Sequence, residues 1–398
     1  MRPLTDLPRD VVALAGVAFC VALGFGVVAP AIPLFASQFG VSATAAGAVV
    51  SAFALTRFFS GLVGGKLVDA MGERLALALG IGVVAVSSLL AGLSQSYPQL
   101  LVLRGVGGVG SAVFGVASVS LVLKVVSGRM RGRAMSVYRS GFLVGGIAGP
   151  ALGGAVLGIS LRAPFFLYAG TLGLAGAVAM LFVSKPEPDS EDDSAEQTEQ
   201  QADPEPTFGV VARTREYQSA LVANLAVGVS SFGLRSALVP LFFVHGIGAA
   251  PGWVGAAFLV STLVQTALML PAGRWTDTAG RRPALLTGAF VTAAGLGTLA
   301  VSTALPLALA GMAVFGAGSA FLGTAPGALV GDVAGRRSGT VVAVFNMASD
   351  LGAVVGPLLA GFLVDHGSFP AAFAAGASVV AVAGLVALRL PGRRGAVV

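Results

Sequence analysis

The sequence predicts an all-α membrane protein: twelve transmembrane helices in two pseudo-symmetric six-helix bundles. Three observations carry that prediction. The chain is far more apolar than a soluble domain, its basic residues gather in alternate gaps between apolar runs, and its second half repeats landmarks of the first at a fixed offset.

Of 398 residues, 56% are hydrophobic and only 11% are charged, against roughly 25% charged in soluble domains. A helix needs about 20 apolar residues to cross a bilayer. Twelve runs qualify, approximately 11–35, 44–68, 75–94, 98–126, 132–158, 163–184, 216–245, 250–273, 283–303, 306–332, 338–364 and 369–389. They lack two-residue alternation, so they read as helices and not as barrel strands. The first has no small-residue cleavage site after a short apolar core and reads as a span, not a removable signal.

Net charge is +6, yet nine of the 18 acids lie in one stretch, Glu187 to Glu205. Of the 24 basic residues, 19 fall in the gaps on one side of the membrane, including both termini. The opposite gaps hold one, Arg162, and four lie inside runs. The positive-inside rule places the basic side, and with it both termini, in the cytoplasm; the heavy use of Ala, Gly, Val and Arg points to a GC-rich bacterium, and so to a bacterial inner membrane. An even number of spans agrees. The basic excess is therefore topological and does not signal nucleic acid.

The acidic stretch lacks apolar periodicity and reads as a linker. It divides the chain into an N-terminal bundle, 1–184, a cytoplasmic linker, 185–212, and a C-terminal bundle, 213–398. "GFGVVAPAIPLF" from Gly24 returns as "SFGLRSALVPLF" from Ser231, and "GPALGG" from Gly149 as "GPLLAG" from Gly356, both 207 residues on. "GKLVDAMGER" from Gly65 returns as "GRWTDTAGRR" from Gly273, 208 residues on. A constant offset across three landmarks indicates a duplicated six-helix unit. Internal repeats of this kind mark secondary transporters, with the ligand site between the halves near the midplane.

Several of these motifs resemble the major facilitator superfamily, and the resemblance covers nearly the whole chain. The phrase Gly65, Asp69, Gly72, Arg74 is similar to that family's motif between helices two and three, with Gly273, Asp277, Gly280 and Arg281 as its second copy. Ala70 and Glu73 stand where basic residues are usual, which weakens the expected charge network. "LRGVGGVGSA" from Leu103, with Arg104, resembles the helix-four motif. "GGIAGPALGG" from Gly145 resembles the helix-five motif of drug and metabolite exporters. The resemblance implies the major facilitator fold and the twelve-span drug/proton antiporter branch.

Asp69 falls at the C-terminal end of its helix, where the helix dipole disfavours a carboxylate. It needs a donor: Arg74, or the N-terminus of another helix. In the resembled family helix two lies against helix eleven, so Asp69 docked there would latch the halves at the cytoplasmic face. Otherwise the phrase is a topology anchor, and for Asp277 the two readings stand level. Gly141, Gly145, Gly149 and Gly153 share one helix face, a groove for close approach, and Pro150 adds a kink. With Gly154, this face serves either static packing or a sliding surface.

Ionisable residues inside a membrane are functional candidates. Asp350 is the one acid well inside a run, about 12 residues, or roughly 18 Å, along helix eleven. Arg57 lies an equal distance before Asp69 along helix two. If those helices are neighbours, the two form an ion pair between the halves. Paired, Asp350 stays ionised; released and desolvated, it takes a proton. The alternative is a static pair that closes the interface. Arginine is never neutral, so Arg104, Arg139 and Arg235 need carbonyls, water or an anionic ligand. Arg104 reads as structural, capping carbonyls. Arg139 and Arg235, with Asn224, Gln265 and Asn346, are the cavity candidates.

The run Gly105 to Gly110 fits G-x-G-x-x-G but sits inside an apolar helix with no strand before it, which excludes a dinucleotide site. No P-loop is present. Cys20 is the single cysteine and His245 and His366 have no second ligand nearby, so neither a metal nor another cofactor is expected, and no enzyme chemistry. The expectation is a monomeric, proton-coupled exporter of a small lipophilic compound. An organic-anion exchanger or uptake symporter on the same fold is the alternative, and a non-transporting sensor is third.

Overall fold

The computed structural model describes residues 8–126, 130–184, 208–334 and 339–391. The linker segment 185–207 and both extreme termini lie outside the described residues. Twelve helices are long and apolar enough to cross a membrane: α1 (Arg9–Ser37), α2 (Ala43–Met71), α3 (Glu73–Leu93), α4 (Tyr97–Lys124), α5 (Arg131–Leu157), α6 (Ala163–Phe182), α7 (Arg215–Gly246), α8 (Gly252–Thr278), α9 (Arg281–Ala300), α10 (Leu305–Val333), α11 (Thr340–His366) and α12 (Phe369–Ala387). They coincide with the twelve apolar runs of the sequence to within a few residues.

Local chemistry sets the helix ends. Ser42, Thr214 and Ser368 cap α2, α7 and α12 by accepting from the backbone N–H three residues on, which satisfies a donor the helix cannot. Single glycines turn the chain between α2 and α3 and between α8 and α9. Gly72 has φ +80° and Gly280 φ +105°, values that an L side chain rarely adopts. This is why the repeated phrase carries a glycine at that point in each half. α1 is interrupted by a turn at Ala29–Pro30. α7 widens into π-helical turns over Gly228–Leu238 and again over Phe242–Gly246.

The two sets of six helices repeat one packing scheme. α1 lies along α5, and α7 along α11. The glycine stripe of α5 makes the first contact: a Cβ on Gly149 would sit 2.6 Å from the Leu23 carbonyl, and Gly141, Gly145 and Gly153 meet Ala15, Phe19 and Val27 in the same way. The second half reproduces it, with Gly352 and Gly356 against Val229. The stripe Gly141, Gly145, Gly149 and Gly153 therefore packs within its own half, while Gly154 beside it meets Gly255 of the other half. Lipid tails are as apolar as leucine, so close backbone approach, not apolar burial, draws such helices together.

Charges tie α3 to α4 and α9 to α10 at the end of the bundle that carries the repeated phrases, here the basic end. Glu73 accepts from Lys124 Nζ at 2.7 Å and from Ser120 Oγ at 3.3 Å. In the other half Arg281 Nε meets Asp332 Oδ2 at 3.0 Å. Residues 73 and 281, and 124 and 332, are each 208 apart. The same tie is built twice with its signs exchanged. Glu73 keeps the α3–α4 tie as its acidic member, but the first network is the weaker one, because Arg281 joins both Asp277 and Asp332 whereas Asp69 has no described partner.

Reversing the first tie to match the second tests this. Glu73→Arg alone places two cations together and lowers the unfolding temperature in detergent. Adding Lys124→Asp recovers most of the loss, with a coupling of about 0.5–1 kcal/mol.

Candidate functional site

The halves meet along two helix pairs, α2 with α11 and α5 with α8. At the end opposite the basic one, both pairs are tight. Gly47 lies against the Pro357 carbonyl and Gly154 against Gly255. Ser51 Oγ donates to the Val354 carbonyl at 2.7 Å. Toward the basic end the α2–α11 seam opens: a Cβ on Gly61 or Gly65 would meet nothing within 4 Å.

A carboxylate locks the closed end. Asp365, at the last turn of α11, accepts from the Ala43 N–H at 2.8 Å and the Thr44 N–H at 2.9 Å. Thr44 Oγ1 donates to it as well, at 2.5 Å. These are the orphan donors at the start of α2, where the helix dipole favours an anion. Sequence reading missed Asp365. The signal available was an acid 15 residues after Asp350 on the same helix, at the end where only Arg162 is basic.

At the basic end the described residues form no latch. Asp69 is exposed and pairs with no described residue, and Arg74 donates to the Met180 carbonyl of α6 instead. Residues 335–338, at the start of α11, lie outside the described residues. In the second phrase Asp277 Oδ1 accepts from Arg281 Nη1 at 2.6 Å, a tie within its own half.

Between the halves lies a cavity of about 990 Å³. Phe25, Phe53, Phe114 and Phe142 supply much of its first-half wall, and Phe232 and Phe258 part of the second. Arg57 on α2 and Asp350 on α11 line it and are joined there as a direct ion pair across the interface. Their side chains are about one-third and one-quarter exposed, 32% and 23%, so the pair borders the cavity and is not sealed in the core. Helix rise alone puts the two at one depth; the α2–α11 contact puts them side by side.

The other candidates divide. Arg235, Gln265 and Asn346 line the cavity. Arg139 is exposed and is not among the lining residues. Asn224 is a helix tie, donating to the Phe345 carbonyl at 2.6 Å, and does not reach the cavity wall. Arg104 is 3% exposed. Its guanidinium lies 4.5 Å over the Phe53 ring; it bonds no carbonyl, so the capping role expected of it is replaced by a cation–π contact. No group of three or more metal-ligating side chains occurs among the described residues.

Removing the Asp365 carboxylate isolates its contribution. In a Cys20→Ser, Ala353→Cys background, Asp365→Ala increases labelling of position 353 by a membrane-impermeant maleimide about two- to fivefold, the value of one anion at a helix N-terminus. Unchanged labelling shows that the carboxylate does not hold that end shut.

Comparison with known proteins agrees with this architecture. The family model described as Major Facilitator Superfamily matches residues 14–234 and 220–397. Multidrug resistance protein 2 of Bacillus subtilis (strain 168) is 28% identical over 356 residues, covering 87% of this chain and 86% of that protein. Multidrug resistance protein 1 of the same strain is 24% identical over 384 residues, 94% of each. Among solved structures, the human organic anion transporter MFSD10 (TETRAN) superposes with a TM-score of 0.67 at 17% identity, covering 97% of this chain and 100% of that one. That last likeness concerns the fold alone.

Proposed function

The chain belongs to the major facilitator superfamily and is a multi-pass membrane transporter of small molecules; from that premise we propose that it exports lipophilic, ring-bearing compounds in exchange for protons. The observation that carries this reading is the Arg57–Asp350 pair, set between the two halves on the wall of a large aromatic cavity. The names of the two Bacillus relatives point the same way.

The bodies that move are residues 1–184 and 213–398, joined by the linker 185–212. The basic end faces the cytoplasm of a bacterial inner membrane, with both termini on that side, because 19 of the 24 basic residues fall there. In this geometry the cavity opens inward. Cargo enters from the cytoplasm or the inner leaflet and stacks among the phenylalanines. The halves then rock: Asp365 leaves the start of α2, the outer end opens, and Asp69 approaches the start of α11. Asp365 and Asp69 are thus alternating latches at opposite ends of the α2–α11 seam. Each is a carboxylate at the C-terminal end of one helix, serving the N-terminus of the other.

Coupling rests on Asp350. Rocking of the halves makes and breaks its pair with Arg57, which ties proton exchange at that carboxylate to the motion. The return stroke re-forms the pair and delivers the proton inside. The protein works as a monomer, since the cavity is completed by a single chain.

Asp350→Asn keeps the shape and removes the titration. In an efflux-deficient bacterial host at matched expression, the wild type raises resistance to lipophilic compounds, and Asp350→Asn lowers it to the empty-vector level. Equal resistance in both removes Asp350 from coupling. Wild-type cells no more resistant than vector, with accumulation of the same compounds increased, reverses the direction of transport.

A further inference from the structure

Arg235 has no counter-charge among the described residues. It lies on α7 within the widened turns of Gly228–Leu238, a helix distortion frequent at functional sites, and it lines the cavity with Phe232 and Phe258. Its guanidinium sits 4.8 Å over the Phe258 ring. Nη2 donates to Thr262 Oγ1 at 2.7 Å and to the Phe258 carbonyl at 3.4 Å. Nε is buried without a partner, and Nη1 makes no hydrogen bond to a described residue. Both protein acceptors are neutral.

The other charges near the cavity are accounted for. Arg57 is neutralised by Asp350. Arg104 is not among the residues lining the main cavity; it borders a small adjoining recess of about 40 Å³ and rests on Phe53. Among the described residues lining the main cavity, Arg235 is therefore the cation with no acid beside it.

Cavity water can reach Nη1, while Nε is already buried and Nη2 is bonded to the protein. An aromatic occupant displaces that water and must replace its hydrogen bonds or strand them. A neutral or cationic molecule leaves Nη1 without an acceptor and a charge without a counter-charge. A carboxylate supplies both, with oxygens matched to the planar donors of a guanidinium. We infer that Arg235 is an anion-binding subsite and that the cargo is an aromatic organic acid, its rings against the phenylalanine walls and its carboxylate on Arg235. This rests on the transporter reading above and narrows its substrate class.

Three probes share one ring system and differ in charge: 2-naphthoate, its methyl ester, and 2-naphthylmethylammonium. Binding to the purified wild type, Arg235→Gln and Arg235→Lys is measured by titration calorimetry. The wild type binds naphthoate about tenfold or more tightly than the ester, the scale of a charged hydrogen bond. Arg235→Gln brings the two within about twofold by weakening the acid alone, and Arg235→Lys retains part of the preference. The unchanged ester affinity shows that the variant is folded. The inference is overturned if the wild type binds the ester or the ammonium as tightly as the acid, if it binds none of the three, or if Arg235→Gln keeps the acid preference. Proton-driven transport of neutral or cationic compounds in proteoliposomes separates the two claims. If it persists without acid binding, the transporter reading stands and the anion subsite falls; if no compound of any charge is transported, the export reading falls.

Discussion

Inside hydrocarbon a backbone N–H or C=O has no water to bond to, and a side-chain charge has none to hydrate it. Every polar group in the span must find its partner in the protein. Helices follow from the first half of that constraint, since each satisfies its own backbone. The second half governs what the helices carry: few charges, and most of those that are buried have a partner in the protein. Arg57 has Asp350, Arg104 has the face of Phe53, and Glu73 has Lys124. Arg235 stands out against this background because its partners are a hydroxyl, a carbonyl and a ring, all neutral.

The same constraint removes apolar burial as the force between helices and leaves close packing in its place. The glycines of α5 and α11 allow backbone to touch backbone along α1 and α7, twice over and at matching positions. This shared skeleton is what the duplication preserved. The charges placed on it diverged. The α3–α4 and α9–α10 ties keep their geometry and exchange their signs. Asp365 has no such echo: 207 residues earlier stands Gly158, and at the α5–α8 seam Gly154 packs on Gly255. The closed end of the α2–α11 seam thus carries the Asp365 cap and the Ser51–Val354 hydrogen bond, where the α5–α8 seam packs glycine on glycine.

The tight contacts between halves lie at one end, and the cavity takes the space where the seam parts. Its wall is asymmetric in chemistry as well as shape. The ion pair spans the two halves, so their relative motion necessarily acts on it. Arg235 belongs wholly to the second half, with Phe258 and Thr262 beside it, so it travels with that half and keeps its surroundings as the seam opens and closes.

By itself the sequence determined the helices, the repeat and the depth of the buried charges. These follow from local quantities: run length against bilayer thickness, the 207-residue offset, and 1.5 Å of rise per residue applied to Arg57 and Asp350. It pointed to Arg235, Gln265 and Asn346 as cavity residues and was misled by Arg139 and Asn224, because helix period alone does not say which face meets lipid, a neighbouring helix or the cavity. Only the tertiary structure decided the partners. The Asp365 cap joins residues 321 and 322 positions apart in the chain, and the Glu73–Lys124 tie joins residues on two helices that run in opposite directions. Such pairs depend on the rotation and stagger of packed helices, which are set by glycine-sized gaps summed over the whole interface and are written in no single stretch of residues.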